Sequence, residues 1–155
     1  PIELNDGEKD FVEDLDSYLK RNSVKYEDTE IYLLRNQSKT GLGFFTEGNF
    51  YPDFIMWIKK DEKQYISFID PKGLVNLNTK DDPKINLSIK IKEIEEKLND
   101  EDVILNSFIV SVTPYGVIKW VQDTLEQLEL EDKNVLFQQD DKNGYVGKMF
   151  DRILN

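Results

Sequence analysis

Two apolar runs lie close together in this chain, and each carries a proline beside an acid. Phe50–Lys60 (FYPDFIMWIKK) is followed by the charged break Asp61-Glu62-Lys63. Tyr65–Ile69 (YISFI) comes next and ends at Asp70-Pro71-Lys72-Gly73. Aromatic and β-branched residues dominate both runs, and a short polar break between such runs predicts two antiparallel strands joined by a tight turn. Strands this apolar need cover, so the flanking segments must pack against them.

The flanks read accordingly. Between Glu8 and about Arg21, Phe11, Val12, Leu15, Tyr18 and Leu19 recur at helical intervals, with Asp6 as the expected N-cap. Ile31–Leu34 reads as a strand and Gln37–Thr40 as a loop. Gly41–Phe45 reads as a short strand and Glu47-Gly48-Asn49 as a turn. Ile85, Ile89, Ile91, Ile94 and Leu98 predict a second helix over Pro83–Leu98, and VILNSFIVSV at Val103–Val112 predicts another strand. Beyond Pro114 the pattern weakens. The later part of Gly116–Leu128 reads as helix, Val135–Gln138 as a strand and Val146–Leu154 as a closing helix. The expectation is a single α/β domain over residues 1–155. Its core, at about 8–113, is a mixed central sheet flanked by helices, with a C-terminal extension from about 114.

Composition narrows the chemistry. The chain has no histidine and no cysteine, which excludes Ser–His triads, histidine-held zinc, thiolate metal sites and cysteine nucleophiles. Hydrolysis would have to run on carboxylates, lysine, hydroxyls and a hard, oxygen-bound metal. The acidic N-terminus, the lack of a long apolar run and the lack of cysteine fit a cytoplasmic protein. A net charge of −11 opposes contact with a phosphate backbone, so any affinity for nucleic acid would have to come mainly from another domain.

A carboxylate, an interval and then acid-x-lysine is a pattern suited to magnesium. The ion takes one or two carboxylates plus waters and substrate phosphate, and a lysine two residues after an acid shares its face of a strand. Acid-x-lysine alone selects nothing here. It occurs at Asp61/Lys63, Asp70/Lys72, Asp82/Lys84, Glu95/Lys97, Glu131/Lys133 and Asp140/Lys142. Only Asp70/Lys72 ends a strand expected to be buried, whereas Asp82-Pro83-Lys84 reads as a helix start. Pro52-Asp53 likewise interrupts an apolar strand that disfavours both residues. A strand-end turn with a surface ion pair to Lys72 would explain the same residues without any chemistry.

FYPDFIMWIKK, the short gap and YISFIDPKGL together resemble the metal-binding core of PD-(D/E)XK nucleases, the restriction-endonuclease-like superfamily. The preceding IYLLRNQSKTGLGFF is similar to the endonuclease domain at the C-terminal end of type III restriction enzyme Res subunits and related DEAD/DEAH-type helicase–nucleases. The resemblance is strong over about Ile31–Leu74, extends to Glu8–Val112, and does not reach past Pro114.

It implies an αβββαβ core with Asp53 and Asp70 as metal ligands, the Pro71 carbonyl as a further ligand, and Lys72 as catalytic lysine. It also implies a glutamate on the first helix. Glu8 continues the Phe11/Leu15 face and is the candidate, although a solvated glutamate favoured by the helix dipole explains it equally. Arg35, Lys39 and Lys59 are candidate phosphate contacts, and ordinary solvated cations account for them as well. The implied activity is hydrolysis of DNA with Mg²⁺, for which Mn²⁺ would substitute. The implied partners are a helicase motor of the same polypeptide and a methyltransferase subunit that reads sequence. The chain itself carries no Walker-type glycine loop. The acidic charge keeps two other readings open: a catalytically silent interaction domain, and an acidic mimic of DNA.

Overall fold

A computed structural model describes residues 2–37, 39–41, 43, 50–75, 82–118 and 127–155. Most of the expected strand at Gly41–Phe45, the turn at Glu47–Asn49 and the greater part of the helix expected before Leu128 lie outside the described residues, and Gly41 and Gly43 are not in a strand. The elements in chain order are α1 (Asp6–Arg21), β1 (Glu30–Arg35), β2 (Phe54–Lys60), β3 (Lys63–Lys72), α2 (Pro83–Leu98) and β4 (Val103–Ser111). A single 3₁₀ turn (Tyr115–Val117) follows, then α3 (Gln127–Asp132), β5 (Val135–Phe137) and α4 (Tyr145–Leu154).

The strands form one sheet in the order β1-β2-β3-β4-β5. The β1/β2 and β2/β3 pairs are antiparallel, and β3/β4 and β4/β5 are parallel. The parallel β3/β4 pair needs a crossover, and α2 supplies it. The β2–β3 connection is two residues long, and both Asp61 (φ 50°) and Glu62 (φ 66°) adopt the left-handed conformation that a type I′ hairpin turn demands.

Period-two alternation sends the strands' apolar residues to both faces. On one face, Phe54, Met56, Ile58, Ile69, Phe108 and Val110 pack under Phe11, Leu15 and Tyr18 of α1 and Met149, Phe150 and Ile153 of α4. On the other, Phe68 and Leu105 meet Ile91 of α2, while Ile85, Ile109 and Val135 close over Leu130 of α3. The segment beyond Pro114 therefore contributes a strand to the sheet and a helix to its principal core. Tyr32, Leu34 and Trp57 remain exposed. Among the described residues no helix is long and apolar enough to cross a membrane.

Some boundaries differ from the sequence expectation for definable reasons. The N-cap of α1 is Asn5 rather than Asp6. Asn5 Oδ1 accepts from Glu8 N–H (2.9 Å) and Glu8 Oε2 accepts from Asn5 N–H (3.0 Å), a reciprocal capping box. β2 begins at Phe54, not Phe50, because Pro52 cannot donate to a ladder. β3 runs on through Pro71 to Lys72, because its bonds there go to β4 on the other side.

Candidate active site

The site is built where the central hairpin comes apart. The β2/β3 ladder pairs Lys60 with Lys63 at the turn and Phe54 with Ile69 at its far end. Continuing that register by one residue sets Asp53 opposite Asp70, and by two sets Pro52 opposite Pro71. Neither proline has an N–H, so the two bonds that such a pair would exchange cannot form and the strands part. The parallel side of β3 is intact: Lys72 C=O accepts from Val112 N–H at 3.0 Å. Successive carbonyls of a strand point to opposite sides. The Pro71 carbonyl is therefore turned toward β2, into the gap where the ladder has ended.

Two sequence-predicted acids meet in that gap. Asp70 is only 4% exposed. Its Oδ2 forms no hydrogen bond and has the Lys72 ammonium beside it as an ion-pair partner. Asp53, partly buried, has its carboxyl pushed up to about 8. Burial is the largest cause, followed by a hydrogen bond to Asp70 and the negative charges of Asp70 and Glu8, with Lys72 opposing them. Around neutral pH Asp53 therefore keeps its proton beside Asp70, where a cation would satisfy both carboxyl groups.

Lys72 follows Asp70 by two residues and is mostly buried, and its Nζ lies 4.9 Å from the centre of the Phe50 ring. That ring limits the ammonium's motion away from Asp70 and adds a cation–π attraction. Sequence reading missed this residue because it treated Phe50 as the start of a strand.

Glu8 approaches across the end of the sheet. It is 7% exposed, on the same face of α1 as Phe11 and Leu15, so it is not a solvated first-turn residue. Its Oε2 is already engaged by the capping box and lies 3.4 Å from Arg35 Nη2. Glu8 and Asp53 line one cavity of about 570 Å³ with Arg35, Asn36, Gln37 and Thr40.

The candidate cations divide. Arg35 is at the site, but its guanidinium is turned to Glu8 and to the carbonyls of Ile2 and Glu3. Lys39 sits in the loop after β1, at the same end of the sheet. Lys59 does not belong to the site. It pairs with Gln64 near the hairpin turn, about 20 Å of strand away from Asp53. The decoy triplet Asp82-Pro83-Lys84 is the start of α2, where Asp82 Oδ1 accepts from Lys84 N–H at 2.9 Å.

Among the described residues no group of three carboxylates is gathered closely enough to hold a metal by itself. Magnesium does not require one. Two carboxylates, a backbone carbonyl and waters suffice, and the exposed remainder of its shell belongs to substrate. A buried carboxylate oxygen partnered by the Lys72 ammonium, an acid kept protonated by its surroundings and a carbonyl left out of the ladder fit such an ion.

No protein-family model, no curated protein and no solved structure matches the chain.

Proposed function

We propose that the domain hydrolyses DNA phosphodiester bonds with Mg²⁺, as a nuclease of the PD-(D/E)XK kind built on a restriction-endonuclease-like core. The observation that carries this reading is the convergence of Asp53, Asp70 and Lys72 where paired prolines force the central hairpin open. The element order α1-β1-β2-β3-α2-β4 agrees with an αβββαβ core, and Glu8 stands on the first helix beside Asp53.

Each residue has a defined task. Asp53, Asp70 and the Pro71 carbonyl would hold the ion, which when bound lowers the pKa of water and offsets charge on the phosphate. Lys72, fixed between Asp70 and Phe50, orients the attacking water and neutralises charge that develops at the phosphoryl oxygens. Water adds to phosphorus as the bond to the 3′-oxygen breaks, leaving a 5′-phosphate and a 3′-hydroxyl. The net charge of −11 means that the isolated domain holds DNA poorly. A helicase motor and a methyltransferase subunit, as in a type III restriction enzyme, would bring the substrate to it.

Calorimetry with Mn²⁺ or Mg²⁺ tests the reading without needing the right DNA. The expected result is binding by the wild-type domain that disappears in Asp70→Ala with the circular dichroism spectrum unchanged. Equal binding by both proteins would move the ion elsewhere and sink the assignment.

A further inference from the structure

We infer that Asn36 is the positioning residue for Asp53, replacing from the β1 side the ladder that the two prolines remove from the β3 side. The inference rests on the metal-ligand reading of Asp53 and adds to it the group that fixes the ligand's backbone.

Asn36 follows the last residue of β1 and holds two consecutive carbonyls. Its backbone N–H donates to Asp53 C=O at 2.8 Å, and its side-chain Nδ2–H donates to Pro52 C=O at 2.9 Å. The first bond extends the β1/β2 register one rung beyond Arg35↔Phe54. The second has no equivalent in a sheet, since it uses a side chain to engage a carbonyl that the ladder leaves over. On the opposite side the continued β2/β3 register brings Pro71, which has no N–H to offer the Pro52-Asp53 peptide. Among the described residues, the hydrogen bonds that hold the ligand-bearing turn thus come from Asn36.

The restraint acts at a crowded place: the continued β2/β3 register sets Asp70 opposite Asp53, and Glu8 lines the same cavity as Asp53. A free backbone at Pro52-Asp53 would let the carboxylate swing into the cavity that it lines with Asn36 and Gln37. An amide suits the task because it supplies a donor without a charge that would compete for the ion or repel it. Asn36 touches no reacting atom, so its effect must appear in the placement of the ligand.

The test separates placement from ordinary stabilisation. Asn22 Nδ2 donates to Tyr18 C=O at 2.8 Å, a side-chain-to-backbone bond of the same kind at the far end of α1. Mn²⁺ affinity by calorimetry and thermal midpoints are measured for wild type, Asp53→Ala, Asn36→Ala and Asn22→Ala. Asn36→Ala is expected to weaken Mn²⁺ binding by about 10- to 100-fold, the usual loss when a group supporting a ligand is removed. Asn22→Ala should lower the midpoint comparably and leave the affinity unchanged.

Wild-type affinity in Asn36→Ala, or an equal loss in Asn22→Ala, overturns the inference while leaving the metal site standing, provided Asp53→Ala abolishes binding. Absence of Mn²⁺ binding in the wild type overturns both. Should Asn36→Ala fail to melt cooperatively, Asn36→Gln keeps the amide but displaces its donor by one methylene. The same comparison then applies, and undiminished affinity in that variant counts against the inference.

Discussion

Asp53 shows how one residue's surroundings can set its ionisation against its usual range. Its carboxyl, near 4 in an unfolded chain, is raised to about 8 by burial and by its acidic neighbours. Between those values the folded protein binds a proton that the unfolded chain does not. The contribution of this group to stability is therefore present at low pH and declines as pH rises toward 8. Asp53→Asn removes that proton exchange, so the difference in stability between variant and wild type should grow from pH 5 to pH 8 in the variant's favour. Denaturant titrations at fixed pH without divalent metal check this, and a constant difference would contradict the raised carboxyl of Asp53. A saturating divalent cation should reverse the preference at pH 8, because it binds the ionised wild-type pair.

At the scale of elements, the central hairpin is strained at its turn and broken at its open end. Asp61 suits the first position of such a turn, but Glu62 adopts positive φ where the turn favours glycine. Replacing Asp61-Glu62 by Asn-Gly should raise stability by about 1 kcal/mol in equilibrium unfolding. Metal affinity should stay as it was, since the turn is a strand's length from Asp53. A loss of metal affinity would indicate coupling along β2 that the register does not suggest. The open end behaves in the contrary sense: the prolines weaken the sheet there and make room for carboxylates and a carbonyl. The sequence signalled both features. A short charged break stood for the turn, and the two prolines stood for the split, although only the register shows that Pro52 and Pro71 face one another.

For the whole molecule, the two helices α1 and α4 share one core across the full length of the chain. Phe150 is 1% exposed, and its ring packs against Tyr18 and Tyr26, with centroids 5.1 and 5.2 Å away. Phe150→Ala should cost about 3–5 kcal/mol and lower a single cooperative unfolding transition. A separate early transition confined to the C-terminal segment would show that residues past Pro114 fold as an appendage. The sequence could not supply this contact. The amphipathic periods of α1 and α4 specify that each has a face to bury, not that the two faces meet beneath β2, β3 and β4.

The division between sequence and tertiary structure follows from the range of the forces involved. Helix α2 was legible to its boundaries because periodicity and the Asp82-Pro83 start are local, and β3 and β4 were legible as apolar runs. Asp53, Asp70 and Lys72 stood out because charge and proline at the ends of apolar strands contradict local preference. Asn36, the Phe50 ring over Lys72 and the diversion of Arg35 to Glu8 carried no such mark. Asn and Phe are unexceptional in a loop, and hydrogen bonds such as Asn36 to Pro52 join residues far apart in the chain. Local chemistry thus determined which residues were out of place, whereas strand register and long-range hydrogen bonding decided which of them meet.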